Sequence, residues 1–120
     1  MKASVIRQDD AARHDYGWGS LTWFASGTVG GARDMTVGLC VIKPGCENPA
    51  HAHPNCEEVL HLVRGTIAHT ADDETYSMLA GDTIVVPPDV RHNARNVGRD
   101  DAVMYIAFSS AEREMVSARS

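Results

Sequence analysis

The sequence predicts a single all-β domain folded as a sandwich or barrel. Short runs rich in β-branched and aromatic residues recur at close, even spacing along the 120 residues, and turn signals separate them. The sequence contains no internal repeat, no linker-like stretch and no second hydrophobic unit. A single domain of this length is expected to bury about two thirds of the surface that its unfolded chain exposes.

Nine strands are predicted in order along the chain, over residues 20–25, 35–43, 51–53, 58–63, 66–70, 74–79, 83–86, 91–96 and 102–108. Residues that favour turns separate them, namely the stretches 27–31, 44–45, 64–65, 71–73, 80–82, 87–89 and 97–100. The predicted plan is an N-terminal segment at 1–18, forming an edge strand or an arm, and a barrel at 19–110. The tail at 111–120 is predicted to form a frayed helical turn or to remain loose.

Composition and charge exclude several classes of function. The formal net charge of -5 and the pI near 5.6 argue against a nucleic-acid partner, which would favour a basic patch. No run of about 18 apolar residues is present, so no membrane span is expected. The first fifteen residues are mixed and charged, unlike a signal peptide, and a cytoplasmic location is predicted. The three cysteines have no disulfide-framework spacing and are expected to be reduced.

One stretch of the chain places two histidines and a glutamate in extended segments. It begins at Gly45, continues through His51, His53 and Glu58, and ends at Gly65. Because one residue separates the two histidines, their side chains project to the same face of an extended segment. The glutamate is in period-two phase with two leucines, which directs its carboxylate inward. An unpaired charge is costly there, and a bound cation removes that cost.

A second stretch adds a third histidine. It runs from Gly81 through Pro87 and Asp89 to His92 and Asn96. His92 follows an apolar strand and a tight proline-rich connection, a pattern that returns a later strand beside an earlier one. Three neutral imidazoles and one carboxylate form an open-sided site for a divalent transition metal. The two stretches together therefore predict metal-dependent chemistry on a small molecule.

The two stretches resemble the two motifs of the cupin superfamily. The first matches G-x5-H-x-H-x(3 or 4)-E-x6-G with the longer spacer. The second matches G-x5-P-x-G-x2-H-x3-N except that Asp89, which tolerates left-handed turns, replaces a glycine. The region from 45 to 96 covers 52 of the 120 residues.

The resemblance implies a double-stranded β-helix, or jelly-roll barrel, as the fold. It further implies one metal ion per chain, held by His51, His53, Glu58 and His92. A small-molecule substrate and a homodimer are expected on the same ground. Iron, manganese, zinc, nickel and copper all suit imidazole and carboxylate ligands, so the identity of the metal stays open.

Several residues near the motifs have alternative interpretations. A three-residue spacer would select Glu57 as the ligand, but Glu57 is out of phase with the leucines and is predicted to face solvent. A Cys56 thiolate is a further alternative, disfavoured because Glu58 fills the matching position. His69 follows the turn at Gly65, which resets the strand phase, and could line the pocket as an acid or base. The remaining candidates are assigned to the surface or to packing: His14, His61, Arg91, Arg95, Trp18, Trp23, Tyr76, Met104, Tyr105 and Phe108.

The expected activity depends on the metal. With a divalent ion, the predicted ligands leave a net charge of about +1 and one or two open positions. One branch is a dioxygenase acting on an enol or diketone-like substrate. The other is a redox-neutral isomerase, lyase or decarboxylase acting on an organic acid or a sugar acid. Glu58 and His69 are the candidate catalytic residues, and a non-catalytic binding or sensing module is the alternative.

Overall fold

The computed structural model describes residues 2–117, which form eleven strands and one short helix. The 3-10 helix is Gln8–Asp10. The strands are β1 (Ala12–Tyr16), β2 (Gly19–Ala25), β3 (Thr36–Ile42), β4 (His51–Ala52), β5 (Glu58–Arg64), β6 (Thr66–Ala71), β7 (Glu74–Leu79), β8 (Thr83–Val86), β9 (His92–Asn96), β10 (Ala102–Phe108) and β11 (Val116–Ser117). Each of the nine predicted strands is present, with ends within one residue of the expected positions.

The strands form two antiparallel sheets. The first has six strands in the order β1-β2-β3-β10-β5-β8, and the second has five in the order β11-β4-β9-β6-β7. Strands far apart in sequence are neighbours, since β10 pairs with β3 on one side and β5 on the other. The chain therefore passes repeatedly between two layers, and the predicted all-β jelly-roll fold is confirmed.

The core follows from period-two alternation on the strands that face it. Along β3 and β10 buried residues alternate with more exposed ones throughout. Met104 is buried on β10 while its neighbour Tyr105 is exposed, so only one of the two faces inward, as the alternation predicts. The buried apolar cluster contains Cys40, Ile42, Leu60, Leu62, Ile67, Met78, Ala94, Met104, Ile106 and Phe108.

Three residues of the motif stretches have structural roles. Gly65 has φ of 95°, and a Cβ at this position would lie 2.9 Å from the Cα of Ala102, so a side chain is excluded on both counts. The buried Asn96 side chain donates hydrogen bonds to the carbonyls of Ile42 and Asp100, each at 2.8 Å. Asp89 adopts the left-handed conformation, with φ of 64°, that a glycine would otherwise provide.

The C-terminal tail differs from its prediction. Val116 and Ser117 form β11, which pairs with β4 through Ala52 and His51, respectively. The expectation of a helical turn or loose end is therefore wrong as far as residue 117, and residues 118–120 lie outside the described part of the chain. Without β11, the short strand β4 would be the edge of its sheet, with unpaired backbone groups. β11 pairs with those groups.

Two further expectations concern the exterior. Within residues 2–117, no helix has the length and apolar character needed to cross a membrane. Exposed apolar side chains, including Val63, Val85 and Tyr105, lie on β5, β8 and β10 of the six-stranded sheet. The homodimer implied by the resemblance stays a prediction.

Candidate metal centre

The four predicted ligands, which lie at or next to the ends of β4, β5 and β9, converge on one point. His51 and His92 are direct partners across β4 and β9, and Glu58 opens β5. One ligand atom from each of these three residues and from His53 lies within 4.8 Å of all the others. The Nε2 atoms of His92 and His53 lie 2.8 Å and 3.3 Å from Oε1 of Glu58. Four groups distributed over 42 residues of sequence therefore share one small volume.

The backbone determines which nitrogen of each histidine faces this volume. The Nδ1 atoms of His51, His53 and His92 lie 2.8 to 2.9 Å from the carbonyl oxygens of Pro49, Glu114 and Val90. Since a carbonyl oxygen only accepts hydrogen bonds, each Nδ1 carries a hydrogen and donates it. A neutral imidazole in that tautomer has a lone pair on Nε2. All three histidines are thus oriented as ligands, with the partner hydrogen bonds that metal-binding histidines ordinarily have.

The converging groups suit a cation. Nε2 of His53 is buried without a hydrogen-bond partner in the described part of the chain, and Glu58 is 5% exposed. Burial raises the pKa of Glu58, but the nearby His53 and His92 nitrogens outweigh it and hold that pKa well below its usual range. Burial lowers the pKa of His92, whereas its contact with Glu58 raises it, and the net shift is upward. A divalent ion among the four groups would neutralise the carboxylate and accept the imidazole lone pairs.

A cavity of about 210 Å³ lies against the cluster. Its walls are largely apolar and include Trp18, Leu21, Trp23, Leu60, Ile106 and Phe108. The tryptophans and Phe108, predicted to be packing residues, therefore also border the site. Trp18 stacks on Tyr16 with 5.0 Å between ring centroids, so two parallel aromatic rings form part of one wall. Apolar walls of this kind strengthen electrostatic interactions inside the cavity.

The C-terminal segment, residues 109–117, closes one side of this cavity and was missed as part of the site. It contributes Arg113, Met115 and Ser117 to the lining. The Asn55 side chain holds it from two directions, donating to the carbonyl of Glu112 at 2.9 Å and accepting from the amide of Glu114 at 2.8 Å. The segment also supplies the carbonyl to which His53 donates. The polar composition of 111–120 carries no signal for this docking, because the contacts join residues 57 to 61 positions apart.

Replacing Asn55 with alanine is expected to weaken zinc binding by about tenfold or more, because the carbonyl that orients His53 would lose its anchor. The affinity would be measured by competition with a chromophoric chelator. Protease sensitivity of the C-terminal segment would show separately that the segment has been released. Unchanged zinc affinity in a variant with a released segment would contradict the orienting role.

Comparison with known proteins identifies the family. The sequence profile described as "Cupin domain" matches residues 38–108, which is more than half of the chain and includes all four clustered side chains. The chain belongs to the cupin family. Polyketide synthase CurC of Streptomyces cyaneus is 33% identical to this cupin over 91 residues, which are 76% of the chain and 59% of that protein. Protein SchB of Streptomyces halstedii is 29% identical over 102 residues, covering 85% of this cupin and 74% of its relative.

Solved structures share the fold over most of the chain. Lactobacillus farciminis oxalate decarboxylase, in complex with formate, superposes with a TM-score of 0.83 at 22% identity. The superposition covers 91% of this cupin but 34% of the decarboxylase chain. The cupin thus spans about a third of that protein's length and 59% of the length of CurC.

His69 lies beside the cluster but not on the cavity wall of this cupin. It is 1% exposed on β6, and its ring is parallel to that of His92 with 5.6 Å between centroids. Burial, followed by the neighbouring His92, lowers the pKa of His69 to about 4, so the ring is neutral at pH 7. Nδ1 of His69 has no hydrogen-bond partner within residues 2–117. Its catalytic role stays a prediction.

The alternative ligands lie outside the cluster. Glu57 is exposed, whereas Glu58 is buried, which agrees with the predicted strand phase. Cys56 is buried but is not among the clustered groups. Cys40 lies in the cavity wall, and burial followed by the charge of Glu58 raises its pKa to about 12, which keeps it a neutral thiol.

The other polar candidates face outward. His61 is exposed and forms a 2.8 Å hydrogen bond to the Thr83 hydroxyl. His14, Arg91 and Arg95 are likewise exposed. These side chains are therefore not part of the cluster, which consists of the four predicted ligands.

Proposed function

We propose that this cupin is an enzyme that binds one divalent transition metal through His51, His53, Glu58 and His92 and acts on a small organic substrate. The observation that carries the proposal is the set of three Nδ1–H donations to backbone carbonyls. In the neutral tautomer, these hydrogen bonds leave three Nε2 lone pairs beside a buried carboxylate, so that four acceptor atoms lie within 4.8 Å of one another. A metal cation is the partner that suits this set of ligand atoms.

A bound metal would act as a Lewis acid toward an oxygen of the substrate, and a redox-active metal would also permit chemistry with dioxygen. The protein's own contribution is to orient and to exclude water. Backbone carbonyls hold the three imidazoles in one tautomer, and Glu58 lowers the net charge of the loaded site to about +1. The aromatic walls keep the reacting oxygen in a medium of low polarity.

The cavity supports a substrate with a planar apolar body and an oxygen that can bind a metal. Enols, β-diketones and aromatic acids have this combination. The name of the Streptomyces cyaneus relative, polyketide synthase, supports an enolisable polyketide-like compound, since polyketide chains carry alternating carbonyl groups. Oxalate decarboxylases share the fold, and oxalate oxidase 1 of Hordeum vulgare is 28% identical over 96 residues. Oxalate lacks an apolar body, so the walls favour a larger substrate here.

The choice between the two reaction branches depends on the metal. The ligands accept iron, manganese, nickel, copper or zinc, and intrinsic affinities favour copper and zinc regardless of the physiological metal. Mn(II) centres have been characterised in the Bacillus subtilis oxalate decarboxylase that shares this fold. Iron would support a dioxygenase, whereas zinc, nickel or manganese would place an isomerase, lyase or decarboxylase first.

Elemental analysis of protein purified anaerobically, without a metal-affinity step, tests the proposal. We expect close to one metal per chain, and a loss of that metal in the double variant His53→Ala, His92→Ala. The double variant His14→Ala, His61→Ala is the matched control, since it removes two exposed histidines and should keep the metal. Oxygen uptake with acetylacetone as the probe substrate would then separate the two reaction branches. A wild-type protein that holds no metal even after reconstitution would contradict the proposal and leave a metal-free binding or sensing module.

A further inference from the structure

The cavity contains one cationic side chain that the metal site does not use. Arg113, in the C-terminal segment, lines the same cavity as His51, His53 and Glu58. Its guanidinium carbon lies 4.2 Å from the ring centroid of Trp23 and 5.3 Å from that of Phe108. Cation–π contact with these two rings holds the guanidinium at the cavity wall.

The donors of Arg113 have no protein partner in the described part of the chain. Between residues 2 and 117 the ion pairs are those of Arg13 with Asp15 and of Glu58 with His53 and His92. Glu58 is the nearby negative charge, but two histidines already contact its carboxylate. The side chain is half-buried, but its nitrogens are not among the fully buried polar atoms that lack a partner, so its N–H groups remain open to an acceptor from outside the protein. No carboxylate within residues 2–117 pairs with these donors, so they are free to bind an anion in the cavity.

Hydrogen bonds on both sides of Arg113 hold its backbone in place. The Asn55 side chain fixes the residues on either side of Arg113, since it donates to the Glu112 carbonyl and accepts from the Glu114 amide. The amide of Gly27 adds a third tie by donating to the carbonyl of Ala111 at 2.9 Å. The guanidinium therefore belongs to a prearranged surface, which reduces the ordering cost of binding a ligand.

We infer that Arg113 binds an anionic oxygen of the substrate, and that the substrate class is a planar organic anion such as an aromatic or enol carboxylate. The apolar body of the molecule lies against the aromatic walls, and its charged group meets the guanidinium fork, which matches a carboxylate with two parallel hydrogen bonds. This inference deepens the proposed function, since it adds a specificity-determining residue to the cavity beside the metal site. A neutral molecule of the same shape is expected to bind more weakly than the anion.

Calorimetric titration with benzoate and with benzamide, which match in shape and differ in charge, tests the inference on zinc-loaded and metal-free protein. Charge-assisted hydrogen bonds of this kind predict that benzoate binds about tenfold or more tightly than benzamide. Arg113→Met keeps the apolar stem and removes the charge, so it should lose this preference while its benzamide affinity stays nearly unchanged. Arg113→Lys should restore part of the preference. Arg99→Met, at an exposed loop position, is the control and should behave as wild type.

Two sets of outcomes overturn the inference. One is absent benzoate binding, or equal binding of benzoate and benzamide, by the wild type. The other is an equal loss of both probes in Arg113→Met, which would assign a packing role to the side chain. The circular dichroism spectrum of each variant would verify folding, and Arg113→Lys retains a test if Arg113→Met does not fold.

The inference and the proposed function fail separately. If the wild type holds one metal per chain and Arg113→Met still prefers benzoate, the inference is wrong and the metal assignment stands. If no metal binds but the benzoate preference disappears in Arg113→Met, the metal assignment is wrong and the anion site stands.

Discussion

Replacing Glu58 with glutamine is expected to reduce zinc affinity by more than about 100-fold, because even the outer partners of metal ligands contribute 10- to 100-fold. The amide would keep the shape of the side chain but lose its negative charge, leaving three neutral imidazoles to hold the ion. In the wild type, zinc at 100 times its dissociation constant should stabilise the fold by about 2.7 kcal/mol. The variant should show no such stabilisation at the same zinc concentration. Thermal unfolding with and without zinc, together with a direct titration, measures both effects.

The neighbouring residue provides a matched control for this prediction. Glu57→Gln makes the same chemical change one position earlier, on a side chain that is exposed rather than buried. Its zinc affinity should remain within about twofold of the wild type, as for surface charges that are screened by solvent. The reverse pattern, with zinc binding lost in Glu57→Gln and kept in Glu58→Gln, would reassign the ligand to Glu57.

Replacing Leu62 with alanine is expected to destabilise the fold by about 2–5 kcal/mol, a large part of the stability of a small domain. Leu62 is 0% exposed in the core, two positions beyond Leu60 on the same inward face of β5. Its removal would leave a cavity between the sheets that the surrounding strands cannot fully close. Urea unfolding of the metal-free protein would measure the change without a contribution from bound metal.

Val63→Ala is the control for the packing of β5. Val63 follows Leu62 in the strand but is 45% exposed, so its truncation should cost less than about 1 kcal/mol. Similar losses for the two variants would contradict the inward orientation of Leu62. That orientation matters for the site as well, since Glu58 and Leu60 share the face on which Leu62 lies.

The site is assembled from two parts of the protein with different physical origins. Strand ends supply the four groups that can hold a metal, and their positions follow from the pairing of β4 with β9 and from the start of β5. The C-terminal segment supplies Arg113 and the carbonyl that orients His53. Both parts border one apolar cavity. A bound metal and the Arg113 guanidinium would each bind the substrate and so fix its orientation.

Much of the fold was predictable because its signals are local. Alternation of apolar and polar residues placed the nine strands, and glycine, proline and aspartate marked the turns between them. Asp89 and Gly65 show why these signals work, since each has a backbone conformation that few residue types adopt. Strand phase also separated Glu58 from Glu57, because a period of two assigns neighbouring residues to opposite faces.

The sequence by itself determined the strand pattern and the four groups that converge as candidate ligands. It could do so because strand phase and motif spacing specify which side chains face inward. Only the tertiary structure decided the tautomer of each histidine, the place of His69 behind His92, and the docking of the C-terminal segment. These features depend on contacts between residues far apart in the chain, such as His53 and Glu114, which are 61 positions apart. No local pattern encodes such contacts, because their geometry exists only after both sheets have packed.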